Sequence, residues 1–287
     1  MDLSIILINH NTRQLTGQTV ESILDTVKDL TYEILVIDNS SKEEEVFFCE
    51  HEKVRVFSGL PNQGFGHACN EAVKHAHGEY LLFLNSDTVI HESTLDQAFS
   101  YIYADDSIGM LGVRQLLPDG SLDHGCKRGF PTPMTSLWYF AGLDRVFPNS
   151  KRFGRYRQTF VPEDAVADVD CVSGAFMLLP RGVFDEVGGF DEQFFMYCED
   201  VDLCYRIREA GYRIVYYGKV SFTHLKGRSG VSNPNILFHF YHSMRIFYDK
   251  HYRDKYPAIV TGMVHLGISA KYALAKRGLR KKEKTRD

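Results

Sequence analysis

Three short apolar runs, residues 3–8, 33–37 and 80–84, each stop at a polar cluster: Asn9-His10-Asn11-Thr12, Asp38-Asn39-Ser40-Ser41 and Asn85-Ser86-Asp87. No other feature constrains the folding of this chain so tightly. The first of these runs, residues 3–8, is β-branched and about six residues long, as expected of a strand buried on both faces. Helical patterns separate them. Leu15, Thr19, Ile23 and Leu24 share one helical face, and residues 67–77 read as a helix stopped by Gly78. A further short strand is expected at 54–57, followed by the polar loop 60–66. Strands alternating with helices predict a mainly parallel α/β sheet flanked by crossover helices. Ligands bind beyond the carboxyl ends of the strands in such sheets, so the three polar clusters are expected to meet at one edge.

The pattern changes further along. Residues 117–164 are rich in Pro, Gly and aromatic side chains and read as long loops or short hairpins, suited to covering a substrate. Residues 169–179 read as a strand broken at Ser173-Gly174, and 184–189 as a short helix. A helix is expected over 199–210, with Val201, Cys204, Tyr205 and Ile207 as its apolar positions, and a strand over 213–217. From Pro234 onward the pattern is helical. These segments divide into a main domain, 1–232, and a basic helical extension, 233–287.

Of the 287 residues, 44% are hydrophobic, enough for a large core, and the net charge of -4 gives no footprint for nucleic acid. That total conceals a tail, from Lys271 to Asp287, with eight basic and two acidic residues. The six cysteines form no C-x-x-C pair, so reduced thiols are expected rather than disulfides or a thiolate metal site. The opening residues lack the basic flank and cleavage site of a signal peptide, which favours a cytoplasmic chain. Residues 258–275 are mostly small and apolar but broken by His265 and Lys271, and read as too short to span a bilayer. An apolar segment followed by cations suits an interfacial helix on anionic lipid. A terminal helix packed on the domain with a solvated end accounts for the same residues.

Several clusters carry chemical promise beside a plainer reading. Asp87, at a strand end, can hold Mg or Mn through oxygen and thereby neutralise a pyrophosphate, although Asn85-Ser86-Asp87 are also turn formers. Glu199-Asp200, with Asp202, open a helix, where acids complement the dipole. Three are more than that requires, and the apolar Phe194-Phe195-Met196-Tyr197 beside them would raise a carboxylate's pKa towards that of a general base. Adjacent helical residues point about 100° apart, so only one of Glu199 and Asp200 faces a reaction centre. His224 can ligate a metal or serve the fold. Lys226 and Arg228 can close over phosphates or be solvated. Gly64 and Gly66 fall short of a dinucleotide fingerprint and suit close backbone approach to a nucleotide.

Taken in order, residues 4–12 (SIILINHNT), 33–41 (EILVIDNSS), 62–70 (NQGFGHACN), 80–87 (YLLFLNSD), 170–179 (DCVSGAFMLL) and 188–224, opening GGFDEQFFMYCED, resemble the inverting family 2 glycosyltransferases of the GT-A fold. The similarity is strongest to the bacterial rhamnosyltransferase-like branch. This resemblance implies that Asn9 and Asp38 contact the nucleotide, while Asn62, Gly64 and Asn70 shape its pocket. Asp87 and His224 would hold Mn or Mg, with Ser173 and Gly174 lining the sugar site. Asp200 would be the catalytic base and Glu199 its support; Lys226 or Arg228 would steady the departing diphosphate. Asn85 replaces the first acid of the family's D-x-D-like motif and so suits ribose better than metal.

The implied donor is a nucleotide sugar, dTDP-L-rhamnose foremost, with UDP-linked hexoses or galactofuranose open. The implied acceptor is a cell-surface polysaccharide or lipid-linked glycan, reached by a cytoplasmic enzyme peripheral to the inner face of the membrane; oligomers remain open. A nucleotidyltransferase is disfavoured, because Asn9-His10-Asn11-Thr12 stand where its Gly-rich phosphate loop belongs. A non-catalytic glycan- or nucleotide-binding module is the rival from another class.

Overall fold

The computed structural model describes residues 1–225 and 234–283. Eleven strands are present among these: β1 (Leu3–Asn9), β2 (Tyr32–Asp38), β3 (Val54–Ser58), β4 (Tyr80–Asn85), β5 (Thr88–Ile90), β6 (Ile108–Leu116), β7 (Lys127–Arg128), β8 (Val166–Asp168), β9 (Cys171–Val172), β10 (Phe176–Pro180) and β11 (Arg213–His224). The helices are α1 (Arg13–Thr26), α2 (Phe65–Val73), α3 (Thr94–Tyr103), α4 (Pro133–Phe140), α5 (Leu143–Val146), α6 (Arg181–Glu186), α7 (Glu199–Glu209), α8 (Pro234–His251) and α9 (Ala258–Glu283).

Nine strands form one sheet in the order β3-β2-β1-β4-β10-β6-β11-β5, with β8 added on β11. β1, β2, β3 and β4 run parallel, β10 lies antiparallel between β4 and β6, and β11 is parallel to β6. The period-two alternation of the strands splits the core into two layers. Ile6, Leu35 and Phe83 face a layer containing Leu203, Ile207 and Phe247. Ile5, Leu7, Ile34 and Leu82 face the other, with Ile23, Leu95 and Ile102. Strand pairing aligns the polar ends: Asn9 lies opposite Asp38, and Ile8 opposite Asn85.

α2 ends at Val73 rather than at 77, and α6 spans Arg181–Glu186 rather than 184–189; three further parts differ from the sequence reading. Residues 117–164 contain two helices, α4 and α5, rather than loops and hairpins alone. α4 starts where Thr132 Oγ1 accepts the Thr135 amide and Pro133 occupies the first turn, a local cap that hydrophobic periodicity does not reveal. β11 continues past Tyr217 through an irregularity between Tyr217 and Ser221, so His224 is the last residue of a strand rather than part of a following loop. Finally, α9 runs through Lys271 and Lys276. Its stretch Ala258–Leu279 is long and apolar enough, by length and composition, to cross a membrane, and none of it is buried. The expected boundary at 232/233 falls outside the described residues. Beyond it, Phe247 and Tyr248 of α8 belong to the same apolar layer as the sheet.

Candidate active site

The left part of the sheet edge is closed upon itself. Asn9 Nδ2 donates to Asp38 Oδ2 at 2.6 Å, to Ser40 Oγ at 2.9 Å and to the Glu45 carbonyl at 2.9 Å. Its Oδ1 accepts from Thr12 and Thr16. Asp38 accepts in addition from the amides of Ser40 and Phe47. Both side chains are buried, with Asn9 at 0% and Asp38 at 2% exposure. In this structure they form a cross-brace under the 39–47 loop, and neither presents a free polar atom to a nucleotide.

The loop before α2 is similarly tied down. Asn62 Oδ1 accepts the Gly64 amide at 3.1 Å, and Asn62 itself is exposed. Gly64 has φ +107, and a Cβ there would collide with the Phe195 carbonyl, so this glycine is required by close packing against the turn that leads into α7. Asn70 Nδ2 donates to the Phe190 carbonyl and to Glu192, while its Oδ1 accepts the Phe190 amide, joining α2 to that same segment.

The right part is more open. His224 Nε2 lies 2.9 Å from Asp87 Oδ1 and 3.4 Å from Asn85 Nδ2. The side chains of His224 and Asp87 are 11% and 14% exposed. Gln115 Nε2 stands 2.8 Å from His224 Nδ1 and donates to Asp123 Oδ2, which fixes the ring's orientation. Residues 137 apart in sequence thus meet because β11 delivers one and the loop after β4 the other. Among the described residues, no group of three or more His, Cys, Asp or Glu side chains could hold a metal ion. A carboxylate and an oriented imidazole nevertheless suit a Mg- or Mn-type ion that takes its remaining ligands from water and a substrate's phosphates.

The acidic start of α7 contacts the backbone at Gly174. Asp200 Oδ2 accepts the Gly174 amide at 3.0 Å, and Asp200 Oδ1 accepts the Val201 amide at 2.8 Å. Next to Gly174, Ala175 accepts the Asn85 amide through its carbonyl at 3.2 Å, and its own amide donates to Ser173 Oγ. The backbone of Asn85 thus leads, through its hydrogen bond to the Ala175 carbonyl, to Gly174 and its contact with Asp200. A further hydrogen bond joins Ser86 Oγ to Thr12 Oγ1 at 3.3 Å, and so to Asn9 and Asp38. Gly174 packs closely here: a Cβ would stand 3.2 Å from the Asp200 side chain.

The three acids of α7 divide their work. Asp202 is fully buried, bonded to Arg206 at 2.8 Å, Lys250 at 2.8 Å and His251 at 2.7 Å. Burial alone would raise its pKa, but the His251 hydrogen bond and the Arg206 and Lys250 charges bring it down to about 2. The third acid is therefore a clamp between α7 and α8, and helix stabilisation plus this clamp explains it without catalysis. Glu199 is the opposite case. Burial first, and the neighbouring Asp200 charge second, push its pKa up to about 8, and its Oε2 has no hydrogen-bond partner. Just before them, Tyr197 and Cys198 both take left-handed backbone angles, φ 69 and φ 64, an uncommon conformation for residues with side chains. α8 supports this turn: Ser243 Oγ donates to the Met196 carbonyl, and His239 stacks on Phe195.

Sequence reasoning missed Arg128. Its Nη2 donates to Asp200 Oδ2 and, at 3.2 Å, to the Val172 carbonyl. It lies in the segment read as loops, where the pairing of β7 with β9 brings it under α7. No local signal in Cys126-Lys127-Arg128 marks it. Lys226 and Arg228 lie outside the described residues. A separate cavity of about 470 Å³, lined by Phe130, Arg155, Tyr205, Arg208 and Lys255 among others, sits towards the far end of α7 and is not part of this cluster. All six cysteines are free, as expected.

Comparison with known proteins agrees with this architecture. The model of the family described as glycosyltransferase like family 2 matches residues 2–238. Rhamnosyltransferase WbbL of Escherichia coli (strain K12) is 28% identical over 242 residues, covering 78% of this chain and 85% of WbbL. The N-acetylglucosaminyl-diphospho-decaprenol L-rhamnosyltransferase of Mycobacterium tuberculosis (strain ATCC 25618 / H37Rv) is 28% identical over 215 residues, 70% of this chain and 69% of that protein. Among solved structures, the mannosyltransferase PcManGT of Pyrobaculum calidifontis, in complex with GDP-Man and Mn2+, superposes with a TM-score of 0.58 at 18% identity, covering 96% of this chain and 71% of that one. The chain belongs to glycosyltransferase family 2 and has the GT-A fold.

Proposed function

We propose that this protein is an inverting transferase that moves L-rhamnose from dTDP-L-rhamnose to a lipid-linked glycan. The observation that supports the transferase reading is a pair of contacts joined by backbone: Asp87 meets His224 at 2.9 Å, and nearby Asn85 donates its amide to the Ala175 carbonyl, next to Gly174, whose amide donates to Asp200. A metal-type pair and a carboxylate are thereby linked through one stretch of backbone. The donor and acceptor are proposed by likeness: two relatives are named rhamnosyltransferases, one of them for a diphospho-decaprenol-linked sugar.

In this reading Asp87 and His224 hold Mn or Mg, and Gln115 keeps the imidazole turned towards the site. The ion, when bound, offsets the charge of the departing diphosphate. Asn85 faces the ribose, and Ser173 and Gly174 line the sugar. Asn9 and Asp38 act through the loop they brace, and Asn62, Gly64 and Asn70 act by setting the shape of the nucleotide wall. Lys226 and Arg228 retain the diphosphate role that the resemblance implies.

Asp200 takes the proton of the attacking acceptor hydroxyl. Arg128 and the Gly174 amide both occupy its Oδ2, which leaves Oδ1, held only by the Val201 amide, as the oxygen for that proton. Glu199 stays protonated at neutral pH and spares Asp200 a second adjacent negative charge. Incubation with Mn and a panel of nucleotide sugars, with nucleoside diphosphate release as the readout, tests this. Release from dTDP-rhamnose, increased by acceptor, is expected. Preference for a UDP-hexose or UDP-galactofuranose would replace the donor, and no release from any member would overturn the transferase reading. A basic tail at a membrane is consistent with a peripheral enzyme on the inner face.

A further inference from the structure

Nine of the fifteen exposed large hydrophobic side chains among the described residues lie on two elements, the α4–α5 segment and α9. Leu137, Phe140 and Phe147 on the first, and Met263, Leu266 and Leu274 on the second, are between 49% and 70% exposed. The two elements touch: Lys271 Nζ of α9 sits 3.8 Å from the centre of the Phe140 ring. Cations surround them. Arg145, Lys151 and Arg152 are exposed after α4, and Lys276 and Arg277 continue α9. The one acid between residues 133 and 161, Asp144, is buried against Arg157 at 3.5 Å, and α9 has none before Glu283.

We propose that the α4–α5 segment and the outer face of α9 form one docking surface for an anionic bilayer, with α9 lying in the plane of the interface. Exposed apolar side chains on two touching elements, rimmed by one sign of charge, are the chemistry of a helix resting on negative headgroups. A crossing orientation for α9 is opposed by its inner face. Tyr248 OH bonds Thr261 Oγ1 at 3.0 Å, His265 Nε2 bonds Asp249 at 2.8 Å, and Arg245 donates to Ser269 at 2.9 Å. Crossing would carry Asp249 and Arg245 into hydrocarbon. The surface also leads to the site: Tyr139 of α4 packs on Tyr156 at 4.6 Å, and the Tyr156 carbonyl accepts the amide of Gly129, beside Arg128. A bilayer there brings a lipid-linked acceptor to Asp200, so the purpose of this surface rests on the proposed function, while its existence does not.

Flotation of the full chain with phosphatidylglycerol-containing vesicles tests the proposal. Wild type is expected to float with them, and much less with vesicles of phosphatidylcholine alone. The double variants Leu137→Asp/Phe140→Asp and Met263→Asp/Leu266→Asp should each lower the bound fraction about tenfold or more. An unchanged melting temperature and unchanged donor binding by calorimetry show that fold and site survive. Equal flotation of wild type and both variants would overturn the surface. So would light scattering that shows a dimer which these substitutions split, since a second copy would then be the occupant. If no nucleotide sugar binds but flotation behaves as expected, the transferase reading fails and the docking surface stands.

Discussion

The two ends of this sheet edge both carry polar side chains at strand ends, and these are bonded in opposite ways. At Asn9 and Asp38, every polar side-chain atom has partners within the chain, and water is excluded. At Asp87, His224, Glu199 and Asp200 the groups remain partly exposed or incompletely bonded. A saturated polar cluster gains nothing from a ligand and stabilises the fold. An unsaturated one keeps lone pairs and protons for another molecule. Polar strand ends are thus a saturated brace on one side and, in the proposed reading, the reacting groups on the other.

Substitutions can break that contrast. The largest effect is expected from Asp200→Asn, which should lower transfer by about two to four orders of magnitude while calorimetric donor binding survives; near-normal turnover would remove Asp200 as the base. Asp38→Ala should act on stability instead. It leaves the buried Phe47 amide without its acceptor and removes one of the three acceptors of Asn9, at a cost of about 2 kcal/mol in chemical denaturation. A stable Asp38→Ala protein with weakened nucleotide binding would reverse the roles assigned to the two ends. Asp87→Ala should weaken Mn-dependent donor binding by about ten- to a hundredfold and leave the melting temperature nearly unchanged, and donor affinity indifferent to Mn in both proteins would sink the metal assignment.

The smallest effect sharpens the picture at Glu199. Its folded pKa of about 8 lies above the ordinary 4.5, so the folded protein keeps a proton that the unfolded chain loses across that interval. Stability from this group is full below pH 4.5 and declines as pH rises through about 8. Glu199→Gln should flatten that decline in a series of thermal melts, with the greatest gain over wild type at the alkaline end. Parallel pH profiles for the two proteins would mean that Glu199 is already ionised in the fold.

Much of the fold was legible from the chain because its strongest signals are local. The buried runs ending at Asn9, Asp38 and Asn85 announced β1, β2 and β4, and Gly211 stopped the helix that opens with Glu199. α4 and α5 were not legible, since short helices capped by Thr132 and Gly142 show little apolar period. The extension of β11 was hidden by Gly218 within it.

What the sequence determined by itself is the mainly parallel α/β framework and the set of polar residues delivered to one sheet edge, because hydrophobic period and strand-end chemistry depend only on neighbours in the chain; the family followed from the resemblance of its motifs. Tertiary structure alone decided which of those residues are free to react. Whether Asp38 is saturated, Glu199 protonated, Asp202 clamped to α8 or Asp200 gripped by Arg128 depends on partners up to 72 positions away. Burial and hydrogen bonding across such separations are set by packing, not by local pattern.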